Sequence, residues 1–489
     1  MDTTESCVES DGIDAPLWMF WKRRRYVVMV MAFLGYFNVY SLRVNLSVAI
    51  VAMTEIREMI HPNGTVELIQ EFEWSSSLQG YVLSSFFYGY IFTQVLGGYL
   101  SSKFGGTNVF GVGIGATAVL TLLTPILAKQ GAGWLIAVRT LEGAFEGVTF
   151  PCGHAMWSVW APPSERSRIA SIAFTGSFAG TVITMTLSGI LAVSWGWESV
   201  FYFFGVLACF WYTAWLLMVR KSPEHDHRIS EQEREFIMKS WGRQEKDTSD
   251  VKHPWMKMLT SKPVIAMSIA SIVEDWGYYT LLTGLPTFLK SVLNFDLQES
   301  GILSALPYLA MGILLSTSGY LADWLQIRGH LTTTQVRKYF TCGAFIVQLV
   351  CMMIGALVLI PAPTIVCITI AVGMGGVAWC GYLLNPLDLS PMSSGVLMGI
   401  SNGFAAISGV IGPIVTGIIT TNNTEDEWRM VFYIAVGIYV FGTLVYWFWA
   451  SGELQPWALE VTQRKNGPTE VSLRSESSMN KRLDHLSPI

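Results

Sequence analysis

The sequence predicts an all-α membrane protein of twelve transmembrane helices, arranged as two pseudo-symmetric six-helix halves. Three observations carry this. Hydrophobic residues make up 51% of the chain and charged residues only 14%, with a mean hydropathy of +0.42, where a soluble domain carries about a quarter charged residues. Apolar stretches long enough to cross a bilayer as helices, which takes about 20 residues, come as six, a charged interval, and six more. Short motifs of the first six recur in the same order and direction in the last six.

Taken in order, residues 1–25 form an acidic and polar tail that turns basic at Lys22, Arg23, Arg24 and Arg25. The apolar run from Tyr26 to Met53 is too long for the core of a cleaved signal peptide and reads as the first span. Residues 54–74 are polar and acidic and hold the sequon Asn63-Gly64-Thr65, so Asn63 is expected to carry a glycan in an outer loop. Spans near 77–100, 107–128, 133–157, 169–194 and 197–219 complete an N-terminal half of 26–219. The charged linker is 220–262; in it Ser230-Glu-Gln-Glu233 reads as a capping box opening a short helix, with Phe236, Ile237 and Trp241 available to rest on the membrane surface.

The C-terminal half, 263–450, holds spans near 263–289, 300–322, 339–360, 363–386, 395–420 and 429–450. The tail 451–489 becomes rich in Ser, Lys, Arg and Glu from Gly467 and reads as disordered. Lys22 to Arg25, Lys103, Arg166, Arg168, the linker, Arg328, Arg337, Lys338 and the tail all fall on one face, which the positive-inside rule makes cytoplasmic, with both termini on it. The seven cysteines lie mostly in apolar runs without ligand-like spacing, so neither a disulfide framework nor a metal site is expected. The net charge of −5 is divided among loops and tails and argues neither for nor against a charged partner; no nucleic-acid partner is expected.

The repeat is specific enough to name its elements. Gly98-Tyr-Leu at the end of the second span returns as Gly319-Tyr-Leu at the end of the eighth, and Trp197-x-x-Val-Phe-Tyr returns as Trp428-x-x-Val-Phe-Tyr. Gly176 and Gly189 of the fifth span are answered by Gly403 and Gly417 of the eleventh. Parallel halves of six are the architecture of the major facilitator superfamily, whose substrate site lies near the bilayer midplane between halves that rock. The loop Gly98-Tyr-Leu-Ser-Ser-Lys103-Phe-Gly105 resembles the superfamily's G-x-L-x-D-R-x-G loop, with Ser102 at the acidic position, and Gly319-Tyr-Leu-Ala-Asp323 keeps the acid. Gly98, Lys103, Gly319 and Asp323 are therefore expected to set the conformational balance by pinning helix ends.

One stretch carries the chemistry. Val138 to Pro151 lies in a span yet holds Arg139, Glu142 and Glu146, which at 3.6 residues per turn fall on one stripe of a helix. A single ionised side chain at mid-membrane costs about 2.5–3.5 kcal/mol on insertion scales, so this stripe must face partners or water inside the bundle.

The runs Ser41-Leu-Arg43-Val-Asn45, Gly89-Tyr-Ile-Phe-Thr-Gln94-Val-Leu-Gly-Gly98, Arg139-Thr-Leu-Glu142-Gly-Ala-Phe-Glu146-Gly-Val-Thr-Phe-Pro151, His154-Ala-Met-Trp157 and Trp160-Ala-Pro-Pro resemble the anion transporter family of sialin, the vesicular glutamate transporters and the sodium-phosphate cotransporters, over about Arg25 to Trp457. The resemblance implies a secondary active transporter of anions, coupled to a proton or sodium gradient and working by alternating access, with no cofactor and as a monomer. The anion could be sialic acid or another acidic sugar, inorganic phosphate or an acidic amino acid. The membrane could be the plasma membrane or an endolysosomal or vesicular one.

Residue by residue, Arg43 matches the first-span arginine that engages the substrate, a job that suits a permanently charged fork able to bond a carboxylate or phosphate twice. Arg139, Tyr90 and Asn385 are further candidate substrate contacts, although Pro386 stands where relatives usually carry histidine. Glu142 and Glu146 match the acids of proton coupling, since burial favours the neutral form of a carboxyl group and lets it exchange a proton near physiological pH. Either could instead be a structural partner of Arg139. His154 reads more readily as a packing residue than as a relay. Glu274, where the vesicular glutamate transporters carry arginine, and Asp275 could serve a cation, sodium included, or be solvated acids near a loop. A membrane enzyme is the competing class, but no Ser, Cys or second His joins His154, Glu142 and Glu146 at metal or triad spacing.

Overall fold

Backbone groups in a bilayer must bond within their own segment, so long apolar runs become helices. The computed structural model describes residues 19–60, 66–162, 165–241, 254–390 and 393–458. Its N-terminal helices are α1 (Arg24–Met53), α2 (Ser76–Phe104), α3 (Gly106–Gln130), α4 (Ala132–Glu146), α5 (Thr149–Trp160), α6 (Arg166–Trp195) and α7 (Glu198–Met218). The linker holds α8 (Glu231–Trp241) and α9 (Trp255–Leu259). The C-terminal helices are α10 (Lys262–Ser291), α11 (Leu297–Ile327), α12 (Thr333–Val358), α13 (Pro361–Tyr382), α14 (Asn385–Leu389), α15 (Ser394–Ile419) and α16 (Glu425–Trp449).

Among the described residues nine helical segments are long and apolar enough to cross a membrane. The other three spans fall short for visible reasons. The α2 helix is rich in Ser, Gly and Tyr, α10 carries Glu274 and Asp275, and α4 has only 15 residues before the chain turns. Two spans expected to be continuous are broken: 133–157 divides into α4 and α5 at Gly147–Val148, and 363–386 into α13 and α14 at Leu383–Leu384. A proline follows each break, Pro151 and Pro386, and proline supplies no N–H to continue the ladder. The breaks occupy equivalent places in the two halves.

The packing repeats as the sequence does. In the first half α1 packs on α6, α2 on α4, and α3 on α4 and α7; in the second α10 packs on α15, α11 on α13, and α12 on α13 and α16. The halves meet through α2 against α15 and α6 against α11. Close backbone approach fixes α2 against α4: a Cβ on Gly143 would come within 1.8 Å of the Phe86 carbonyl oxygen, and one on Gly89 within 2.0 Å of that of Thr140.

Away from the linker the halves are sealed. A Cβ on Gly80 would meet the Pro413 oxygen at 2.5 Å, one on Gly417 the Ser76 oxygen at 2.4 Å, and one on Gly301 the Met185 oxygen at 2.6 Å. Ser77 Oγ donates to the Gly417 oxygen at 3.2 Å, Asn423 Nδ2 to Ser76 Oγ at 3.2 Å, and Lys290 bonds Glu55. Towards the linker, Gly98, Gly319, Gly399 and Gly403 have nothing within 4 Å of a Cβ position. The two halves are closed against each other on the face away from the linker.

One connecting segment gains secondary structure and one expectation, in the linker, is corrected. The segment after α1 pairs as an antiparallel hairpin of β1 (Ile56–Ile60) and β2 (Val66–Gln70), with Ile56 opposite Gln70 and Ile60 opposite Val66; Asn63 lies outside the described residues. In the linker, Ser230 Oγ does accept from the Glu233 N–H at 3.2 Å, but the Glu233 carboxylate caps α1 instead, accepting from the backbone N–H groups of Arg24 and Arg25 at 2.8 and 3.1 Å and from Arg25 Nη1 at 3.1 Å. Ile237 is buried and the Arg25 guanidinium lies 5.3 Å from the Phe236 ring centre, so this face of α8 rests on the N-terminal half.

Candidate functional site

Arg43 projects from the middle of α1 into a box of aromatic rings. Its guanidinium carbon lies 4.7 Å from the ring centre of Phe86 and 4.8 Å from those of Tyr40 and Tyr90, near enough for cation–π attraction. Its charge is paired across the helix interface: Nη2 and Nε donate to Glu146 Oε2 at 3.1 and 3.3 Å. The pairing is incomplete. Arg43 Nη1 and Glu146 Oε1 are both buried with no hydrogen-bond partner. Such groups are costly to leave unbonded in a folded interior, and both lie within one ion pair.

Glu142 differs in that both its oxygens are bonded, while Arg139 keeps one buried nitrogen, Nε, without a partner. Glu142 is buried, and its Oε1 accepts from Thr121 Oγ1 at 3.0 Å and Thr124 Oγ1 at 3.1 Å while its Oε2 accepts from Arg139 Nη1 at 2.5 Å. Arg139 also donates Nη1 to the Leu42 oxygen at 3.1 Å and Nη2 to the Arg43 oxygen at 2.9 Å. It ties α4 to the turn of α1 that carries Arg43. Both its terminal nitrogens are engaged, so in this state it is a strut beneath Arg43.

From the other half, α10 brings Asp275 and Tyr279 to the same place. Phe87 and Tyr279 meet edge-to-face across the two halves at 4.6 Å between centroids. Asp275 is part-exposed and stands within electrostatic reach of Arg43. A small crevice lined by Arg43, Ser47, Leu83, Phe87, Arg139 and Thr283 lies above this layer, on the sealed side. Glu274 and Asp275 are midway along α10, which excludes the loop-side reading.

Not every expected contact gathers here. Asn385 is buried in the first turn of α14, where its Nδ2 donates to Tyr446 Oη at 3.4 Å near the linker-side end of α16, away from Arg43. There Arg337 Nε bonds Asp388 Oδ2 at 2.7 Å. His154 is exposed. Lys103 is exposed, with its ammonium 5.5 Å from the Phe104 ring centre; Gly98 and Gly319 face open space, and nothing is described of the Asp323 side chain. Among the described residues no three His, Cys, Asp or Glu side chains stand together as a metal site would need. The sequence reading missed Thr121 and Thr124, which with Thr117 recur at helical spacing on one face of α3 and could have been read as polar support for a facing acid.

With the geometry in place, comparison with known proteins gives a consistent result. Residues 28–394 match the family model described as Major Facilitator Superfamily. The chain is 43% identical to sialin of Homo sapiens over 458 residues, covering 89% of this chain and 91% of that protein. It is 40% identical to vesicular glutamate transporter 1 of Bos taurus over 450 residues, covering 91% and 80%. Among solved structures, a bacterial homologue of the human lysosomal transporter Spinster, in an inward-facing and unoccupied conformation, superposes with a TM-score of 0.69 at 14% identity, covering 88% of this chain and 99% of that one. A D-xylose–proton symporter superposes at 0.62 and 14%, covering 87% and 99%.

Proposed function

The chain belongs to the major facilitator superfamily, in the branch that holds sialin and the vesicular glutamate transporters, and from that premise we propose that Arg43 receives a carboxylate while Glu146 takes up the coupling proton. The protein is a multi-pass membrane transporter of anions, not an enzyme. The observation that carries the reading is the half-made pair: one donor of Arg43 and one oxygen of Glu146 are buried and unbonded within a single ion pair. An anion that bonds Arg43 competes with Glu146 for the fork, and a carboxylate displaced into a dry pocket is best stabilised by a proton. Anion and proton then enter together, and the charge of the pocket is conserved.

Because Glu146 lies against a guanidinium, a metal cation is poorly hosted there, which favours proton over sodium coupling at this acid. Tyr40, Tyr90 and Tyr279 offer ring faces and hydroxyls that suit a hydroxylated acidic sugar such as sialic acid. A second reading, an acidic amino acid, is favoured by Asp275, which stands opposite Arg43 and could hold an ammonium group. Inorganic phosphate would leave the aromatic faces unused. Arg139 and Glu142 act as positioning residues. The segments Gly98–Lys103 and Gly319–Asp323, which form the last turns of α2 and α11 rather than loops, serve to pin helix ends on the linker face. The positive-inside rule makes the linker face cytoplasmic, so the sealed face looks away from the cytoplasm.

Uptake into proteoliposomes of N-acetylneuraminate, glutamate and phosphate, with proton and sodium gradients imposed separately, tests this. Proton-driven accumulation of the sugar acid is expected; accumulation that follows only sodium would overturn the assignment of Glu146.

A further inference from the structure

The site described above uses the acids of the N-terminal half and leaves Glu274 unexplained. Glu274 is 2% exposed, and its Oε2 accepts from Gln348 Nε2 of α12 at 3.0 Å. No cationic side chain pairs with it among the described residues. The titratable groups near it are Asp275 on its own helix, Tyr382 on α13 and Tyr439 on α16, each neutral or acidic. Arg43 acts on Asp275. The other end of the same amide, Gln348 Oε1, is buried with no donor, so the surroundings of Glu274 already hold one acceptor too many. An ionised carboxyl adds acceptors there; a protonated one adds the missing kind of group, a donor.

Counting charge at this depth gives the same result. Away from the ends of their spans, α1, α4 and α10 together carry Arg43 and Arg139 with Glu142, Glu146, Glu274 and Asp275, two cations against four acids. With every group ionised the region would carry an excess of two negative charges, a poor setting for an anion. A bare metal ion does not fit as the compensating charge. The carboxyl lies directly on the backbone of α13, where a Cβ on Gly375 would come within 2.2 Å of Glu274 Oε1, and among the described residues Gln348 is the one side chain hydrogen-bonded to it.

We propose that Glu274, held by Gln348 against Gly375, is a separate proton-binding site of the C-terminal half, occupied by a proton at neutral pH. This extends the transport reading without depending on it, because the proton can be observed without substrate. The test is infrared difference spectroscopy on the full chain in liposomes, stepping pH in sodium chloride or choline chloride. Glu274→Gln should remove one protonated-carboxyl C=O stretch that persists in Glu146→Gln and is indifferent to sodium. Gln348→Leu should keep that band and move it to the frequency of a carboxyl with fewer hydrogen bonds. The Glu274→Gln protein should melt with the wild type, since an amide replaces a neutral acid of the same shape. Spectra of Glu274→Gln that superimpose on the wild type, or a band abolished by sodium, would overturn the proposal. Failure of proton-driven uptake with the band intact would count against the Arg43–Glu146 reading alone.

Discussion

Arg139→Leu separates the strut from the binding group. In the structure Arg139 is the cationic partner of Glu142, and without it the buried carboxyl keeps only the hydroxyls of Thr121 and Thr124. Removing one partner of a buried ion pair costs about 3–5 kcal/mol, because the other charge is left uncompensated. At about 1.4 kcal/mol per factor of ten, that is roughly two to four powers of ten in the folded-to-unfolded ratio. Adding Glu142→Gln removes the stranded charge and keeps an amide oxygen for the two threonines, so the double variant should recover most of the loss. The assay is apparent melting temperature of the purified protein in detergent at a fixed scan rate, because large membrane proteins seldom unfold reversibly. Two results refute the reasoning: Arg139→Leu melting with the wild type, or a double variant whose loss equals the sum of the singles.

Two further perturbations probe the state of the molecule. Gly417→Val places a side chain where the Ser76 oxygen stands 2.4 Å from a Cβ and should part the sealed face; in a Thr283→Cys background, a membrane-impermeant thiol reagent added on that face should then react faster, and an unchanged rate contradicts the seal. Glu233→Ala strips the acceptor from two backbone N–H groups of α1 and from Arg25, at a cost of about 1–3 kcal/mol for groups left unsatisfied; limited trypsin digestion should cut the linker sooner, and an unchanged digestion rate speaks against the clasp.

The positions of the spans were legible because hydropathy over twenty residues is a long, averaged signal, and most helices begin and end within a few residues of the expected places. The stripe of Arg139, Glu142 and Glu146 was legible because helical periodicity is local. Which acid answers which arginine was not. Glu142 turns back to Arg139 three residues away, while Glu146 reaches Arg43 across 103 residues, and only the tertiary arrangement of the bundle decides that. The breaks before Pro151 and Pro386 were marked by their prolines, yet apolar residues continue through both, so hydropathy alone joined the pieces. Asn385 fell from the pocket for the same reason: once α13 ends at Tyr382, the chain turns and carries Asn385 towards Tyr446. The burial of Glu274 could not be read from α10 itself, because Gln348 and Gly375 come from other helices.

The exchange of partners at Arg43 is tested most directly by comparing two modes of transport in one variant. Glu146→Gln keeps the shape of the pocket and removes the group that trades a guanidinium for a proton. In proteoliposomes it should still exchange labelled for unlabelled N-acetylneuraminate across the membrane, while an imposed pH gradient no longer drives accumulation above equilibrium. Accumulation by Glu146→Gln that responds to the pH gradient as fully as the wild type would contradict the account.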